Sequence, residues 1–201
     1  MKEGLVRLNV LVPMTDEFIE PWFRLSFGGS SIQALMAVPE GAKSEKASGL
    51  RLSTPNDIVD AVKLALVQAE HHTRSPSFNG VMLQSQSEIE SEWQRTWNDD
   101  RYVHFVAERD GRIAGSALLY RRPPDMRVPQ GSIDLAGCVT YPDVRGTGVG
   151  VMLTNHVVGW AAENGFKTMS TDWRMTNLVA SRFWPSRGFR AAFVRVYRSI
   201  P

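Results

Sequence analysis

Apolar and polar residues change their period several times along the chain, and each change marks an element. Over residues 5–13 the stretch LVRLNVLVP alternates and then turns wholly apolar, which predicts a strand. Thr15 stands as the N-cap of a short helix whose first turn carries Asp16 and Glu17, charges that a helix N-terminus favours. IQALMAVP reads as a second strand. PEGAKSEKASG, residues 39–49, then lacks large apolar side chains, and residues 40–49 read as a linker.

A second pattern starts at residue 50. LRLST is a short strand, and Thr54 with Pro55 opens a helix whose apolar face is Ile58, Val62, Ala65 and Leu66. After the loop TRSPSFNG, Ser87 and Glu90 have capping-box spacing at the head of another helix. YVHFVAERDGRIAGSALLY predicts a hairpin around Asp110-Gly111, a pair that tolerates positive φ. SIDLAGCVT is an interior strand, GVGVMLTNHVVGWAAENG a helix stopped by Gly165, and FKTMSTDWR a strand. NLVASRFWPSRG is a helix capped by Asn177 and ended or kinked by Pro185, and AAFVRVYRSI is a last strand. Residues 50–201 thus read β-α-α-β-β-β-α-β-α-β, an α/β (α+β) chain with a mixed sheet and helices on both faces.

Composition narrows the classes. With 201 residues, 43% hydrophobic and 22% charged, the chain has the make-up of a soluble globular protein. A formal charge of +2 is too small to argue for a nucleic-acid partner. The single cysteine, Cys138, excludes an internal disulfide framework and fits the reducing cytoplasm. Arg7 and Asn9 interrupt the opening apolar run, so neither a signal peptide nor a membrane partner is expected.

The strongest chemical signal is VTYPDVRGTGVGVML. A strand ends at Thr140, a glycine-rich turn follows over Arg145–Gly150, and a helix begins. Glycines there let main-chain N–H groups converge at a helix N-terminus, a ready phosphate site. The Rossmann fingerprint needs glycine where Val151 stands, and a Walker loop needs a lysine that is missing. What remains is Arg/Gln-x-x-Gly-x-Gly/Ala, matched by Arg145, Gly148 and Gly150.

With that loop, the hairpin VAERDGRIAGSALLY and the C-terminal run NLVASRFWPSRGF, the chain over residues 50–201 resembles the GNAT superfamily of N-acetyltransferases. The resemblance implies a GNAT-like acyl-CoA N-acyltransferase fold and acetyl-CoA (coenzyme A) as cofactor. It implies that amides of Val144, Arg145, Gly146, Thr147, Gly148, Val149 and Gly150 hold the pyrophosphate. The strand edge Cys138, Val139 and Thr140 would bond pantetheine, with Asn177 approaching from the other wall. Arg182 and Arg187 would reach CoA phosphates unless they form a solvated helix face.

One position departs from the family. Many relatives carry a tyrosine that protonates the leaving thiolate where this chain has Trp184, beside the cofactor. The departure is tolerable, because a thiol with a pKa of about 8.5 leaves unprotonated at neutral pH for about 2 kcal/mol. Deprotonating an amine with a pKa of about 10.4 costs about 4–5 kcal/mol, so a base matters more. Asp134 and Asp172 are the base candidates, with pairing to an arginine or capping of backbone as the alternative for each. A backbone N–H near Thr140 would stabilise the charge that develops on the thioester oxygen. Tyr141 is a possible acid, His71 and His72 border the acceptor region, and Cys138, His104 and His156 read as structural. No metal-ligand spacing is present.

The two ends of the chain correspond at an offset of 162 (184 − 22). Trp22 meets Trp184, Phe27 meets Phe189, Thr15 meets Asn177 and Pro39 meets Pro201. Residues 1–39 are therefore expected to be a partial GNAT-like β-α-β repeat without a cofactor loop, joined by the linker to a GNAT domain at 50–201. Such a fragment cannot bury its own apolar face, which makes a homodimer possible. The expected function is acetyl transfer to a primary amine of a small molecule or protein by direct attack. The alternatives are a non-catalytic acyl-CoA-binding sensor and a structural interaction module.

Overall fold

A computed structural model describes residues 7–74 and 85–200. The start of the opening strand, most of the loop TRSPSFNG and Pro201 lie outside the described residues. The elements are β1 (Arg7–Pro13), α1 (Asp16–Arg24), β2 (Gly28–Ala37), β3 (Leu50–Leu52), α2 (Ile58–Thr73) and α3 (Gln86–Trp97). They continue as β4 (Tyr102–Arg109), β5 (Arg112–Tyr120), β6 (Ser132–Thr140), α4 (Val149–Glu163), β7 (Thr168–Arg174), α5 (Leu178–Ser186) and β8 (Arg190–Ser199). From residue 50 onward this is the predicted order. The chain divides into two compact units, residues 37–170 and residues 1–36 with 171–201.

In the larger unit β3, β4, β5 and β6 pair antiparallel in that order. Ser132–Asp134 of β6 pairs in parallel with Thr168–Ser170 of β7, so the sheet is mixed. The β4–β5 hairpin turns at Asp110 and Gly111, both at positive φ (52° and 73°), as the residue pair predicts. Phe105, Leu119, Ile133, Leu153 and Val157 form its buried centre.

Three local expectations are corrected. The helix expected from Thr54 begins with a 3-10 turn, Pro55–Asp57, and only then becomes α2. Asp57 causes this: its carboxylate accepts from the Thr54 N–H at 2.6 Å and from its hydroxyl at 3.0 Å, while Arg51 donates to both oxygens. The Arg51 guanidinium holds Asp57 at about 2. The buried face of α2 is Ala61, Val62 and Leu64, so only Val62 of the predicted face is fully covered. Helix α3 starts two residues early, because Ser85 and Glu88, with the same spacing as Ser87 and Glu90, form the capping box.

The segment read as a linker is fastened to α4. Ser44 donates to Glu163 from its hydroxyl at 2.5 Å and its N–H at 3.3 Å, and the Glu45 carbonyl lies 2.9 Å from His156 Nδ1. Gly159 makes the approach possible, since a Cβ there would fall onto the main chain of Lys43 and Ser44. Gly159→Ala should therefore cost about 1–3 kcal/mol through overpacking. In a chain of this size the melting temperature would drop by roughly 3–10 °C. An unchanged melt would show that this segment is not held by α4.

Helix α3 covers β4 through two tryptophans. The His104 ring lies between Trp93 and Trp97, at centroid distances of 4.9 and 4.7 Å, and neither ring nitrogen has a hydrogen-bond partner among the described residues. Burial lowers His104 from 6.5 to about 4. The unfolded chain takes up this proton as pH falls through about 6.5, while the folded chain resists until about 4. Stability from this group is thus present at neutral pH and lost over that window, by an amount on the order of 3 kcal/mol. His104→Leu should flatten the urea-denaturation midpoint between pH 6.5 and 4. An unaltered slope would contradict the assignment.

The smaller unit is internally repeated. Helix α1 and helix α5 coincide at offset 162 (178 − 16), as do β2 and β8 (190 − 28). The helix ends repeat bond for bond: Leu25 N–H donates to Pro21 and Trp22 carbonyls and Phe27 N–H to Trp22, while Arg187 donates to Phe183 and Trp184 and Phe189 to Trp184. Ser26 and Gly188 share positive φ at the same place. Trp22 meets Phe27 edge-on at 5.1 Å, and Trp184 meets Phe189 edge-on at 5.4 Å. The caps differ. Asn177 Oδ1 accepts from Ala180 N–H at 3.2 Å, whereas the Thr15 hydroxyl makes no capping bond. Strand β8 lies between β1 and β2, antiparallel to both.

Candidate active site

The site is built at the C-terminal end of β6. Tyr141 N–H donates to the Ala114 carbonyl at 3.1 Å, continuing the β5 ladder. Main-chain groups alternate in an antiparallel pair, so Val139 and Gly137 also face β5. Cys138 and Thr140 therefore direct N–H and C=O away from β5. On that side the pairs with β7 end at Asp134↔Ser170, so these groups lie beyond the ladder. A bulge at Ala136, where Leu118 pairs with Gly137 but Leu119 with Leu135, marks the change.

Side chains on this stretch sort to opposite faces. Val139 and Tyr141 pack on Leu64, Val106 and Ile113 toward α2. Burial raises the Tyr141 hydroxyl above its usual range, so it stays protonated at neutral pH, on the α2 face. The Cys138 thiol lies toward Thr154 of α4 and burial pushes it up to about 12, which excludes a thiolate nucleophile at neutral pH. Gly115, a residue outside the predicted site, is required here. A Cβ there would sit 2.8 Å from the Val139 carbonyl oxygen and 2.9 Å from Thr140 Cγ2.

After Thr140 the chain makes a 3-10 turn, Pro142–Val144, tied by the Arg112–Asp143 ion pair. Within the loop, Val144 N–H donates to Tyr141, Arg145 N–H to Pro142 and Thr147 N–H to Val144. These three amides, expected to bind phosphate, are thus occupied by the loop's own carbonyls. Gly146 and Gly148 have φ of 79° and 94°, and a Cβ on either would meet nothing within 4 Å. Their N–H groups and those of Val149, Gly150 and Val151 have no hydrogen-bond partner among the described residues. Val151 is an addition, readable from the rule that a helix leaves its first N–H groups unpaired.

Helix α4 is left open at this end. Its N-cap is Gly148, which has no side chain to cap with, and no acidic residue occupies its first turn. The other long helices carry acidic side chains there: Ser85 and Glu88 form a capping box at α3, and Asp57 and Asp60 stand at the N-cap and in the first turn of α2. Fifteen residues of aligned peptide dipoles thus end in open N–H groups with no internal anion. The residues present fit a pyrophosphate.

The remaining candidates are placed as follows. Asp134, part-buried, accepts from the Ser170 hydroxyl at 2.5 Å. It stands four residues before Cys138, at most about 13 Å along the strand. Asp172, Asn177, Arg182 and Trp184 belong to the smaller unit. Asp172 and Arg182 are exposed there, and the Asn177 side-chain oxygen is engaged as a cap. Trp184, expected beside the cofactor, is buried against Phe183 and Phe189. His71 and His72 fall in the last turn of α2. No cluster of three metal-ligating side chains occurs among the described residues, and no helix there is long and apolar enough to cross a membrane.

No curated protein matches the chain in sequence. Solved structures share its fold. An acetyltransferase of the GNAT family from Novosphingobium aromaticivorans matches 97% of this chain and 75% of its own, with a TM-score of 0.59 at 18% identity. A GCN5-related N-acetyltransferase from Sphaerobacter thermophilus matches 98% of this chain at a TM-score of 0.62 and 14% identity. The match spans 61% of that protein's length. A ribosomal-protein-alanine N-acetyltransferase from Brucella melitensis matches 75% of this chain and 99% of its own (TM-score 0.57, 17% identity). The model of the Acetyltransferase (GNAT) family matches residues 67–189, which include the α4 loop, β6 and the base candidate Asp134. The chain belongs to the GNAT family of acetyltransferases.

Proposed function

We propose that the protein transfers the acetyl group of acetyl-CoA to a primary amine of a small molecule or protein, by direct attack. The observation that carries this reading is the uncapped N-terminus of α4 beside the outward-facing edge of β6. Gly146, Gly148, Val149, Gly150 and Val151 supply donors for a diphosphate, and Cys138 and Thr140 supply a strand edge for an extended amide-bearing arm. When bound, acetyl-CoA supplies an activated acyl thioester. The N–H of Cys138 or Thr140 donates to the thioester oxygen as charge builds there, and contributes more than in water because the site is partly desolvated. Asp134, held by Ser170, accepts the amine proton, directly or through water.

The test is calorimetry with acetyl-CoA followed by release of free CoA thiol in a panel of amines. Binding with thiol release supports the reading. Binding with no release from any amine would leave an acyl-CoA-binding sensor, and no binding would remove the phosphate assignment.

A further inference from the structure

Four directly registered positions form a row across the sheet of the larger unit. Tyr102 pairs with Tyr120, Tyr120 with Asp134 and Asp134 with Ser170, so all four side chains share one face. Their contacts agree. The two tyrosine rings stack with centroids 4.6 Å apart, and the Ser170 hydroxyl donates to Asp134 at 2.5 Å. In the next row His104 pairs with Leu118 and Leu118 with Gly137, and α3 closes over His104 with Trp93 and Trp97.

Cover is incomplete beyond His104. Leu118, Tyr120, Asp134 and Gly137 are part-exposed and Ala136 at the bulge is exposed, although β5 and β6 each pair with a strand on both sides. On the opposite face Ala117, Leu119, Ile133 and Leu135 are fully buried. The open patch adjoins the proposed acyl position. An arm laid from α4 along Thr140 and Cys138 comes next to the bulge and then to Asp134.

The patch is chemically selective. Tyr120 and Leu118 offer an apolar floor, with the Asp134 carboxylate beside it. The cations nearby are engaged. Arg101 lies over the Tyr120 ring at 5.8 Å and is paired with Asp99 at 2.6 Å. Arg127, close enough for its charge to act on Asp134, donates from Nε to Asp125 at 2.9 Å. A carboxylate on the substrate would have to break one of these pairs, and a second ammonium would meet Arg101 or Arg127.

We propose that the acceptor is an arylalkyl monoamine, its ring laid on Tyr120 and Leu118 and its amine directed at Asp134. This rests on the acetyl-transfer reading and adds the substrate class to it. Tyr120 determines specificity by direct contact, and Tyr102 positions it by stacking.

Rates of CoA thiol release with 2-phenylethylamine, propylamine, spermidine and phenylalanine test this. The KM for 2-phenylethylamine should lie roughly 10-fold or more below each of the others. Tyr120→Ala should raise that KM roughly 10-fold with acetyl-CoA affinity retained in calorimetry, and Tyr120→Phe should bring it back. Equal KM values across the four amines, or a preference that survives Tyr120→Ala, would overturn the inference and leave acetyl transfer standing. Binding is also read without turnover and without a variant. With CoA present, 2-phenylethylamine should shift the NMR signals of the Leu118 methyls and the Gly137 amide. Those shifts with no thiol release from any amine would uphold the patch and overturn acetyl transfer, whereas neither shifts nor release would overturn both.

Discussion

Gly148→Val is expected to lower affinity for acetyl-CoA by roughly 100-fold or more while the fold persists. Two effects combine at this residue. Gly148 holds φ 94°, a conformation that costs a side-chain-bearing residue about 1–2 kcal/mol and is worse for a β-branched one. The new side chain also projects into the open space before the first turn of α4, where nothing now lies within 4 Å. A hundredfold loss corresponds to about 2.7 kcal/mol, within reach of a few charge-assisted bonds to N–H donors. Calorimetry reads the affinity, and thermal melts without ligand read the fold. Retained affinity in a folded Gly148→Val protein would place the phosphates elsewhere.

The second large effect is kinetic. Asp134→Asn should reduce kcat roughly 10²–10³-fold and leave acetyl-CoA affinity unchanged. The amide keeps an oxygen able to accept from Ser170, so the local geometry survives while the basic carboxylate is lost. The rate should then recover partly as pH rises, because the amine increasingly loses its proton without help. If Asp172→Asn causes the loss and Asp134→Asn does not, the base is the carboxylate of β7.

The sequence carried these features unevenly, for physical reasons. Local turn chemistry was readable, since Asp110-Gly111 and Gly165 each demand a left-handed backbone and leave few alternatives. The repeat was readable because Trp22 and Trp184 punctuate equal frames. The start of α3 was ambiguous, because two overlapping Ser-x-x-Glu boxes obey one rule and tertiary packing of Ile89 chooses between them. The fastening of residues 40–49 was invisible for another reason. Its contact is main chain against Gly159, and composition reports side chains only.

The candidate site shows the same division. Glycine spacing located the loop, but which amides are available depends on the 3-10 turn that consumes those of Val144, Arg145 and Thr147. Gly115 is not legible in the sequence, because a lone glycine in a strand has several readings and only the approach of Thr140 selects one. The thiol of Cys138 and the hydroxyl of Tyr141 were placed only once the bulge at Ala136 and the register of β5 fixed their faces.

The most direct measurement is a titration of the isotopically labelled protein with acetyl-CoA, followed by amide NMR. The backbone signals of Gly146, Gly148, Val149, Gly150 and Val151 should move together with those of Cys138 and Thr140, while Val144, Arg145 and Thr147 keep their internal bonds and move less. Saturating acetyl-CoA that shifts none of the first seven, or shifts a different surface, would contradict the account.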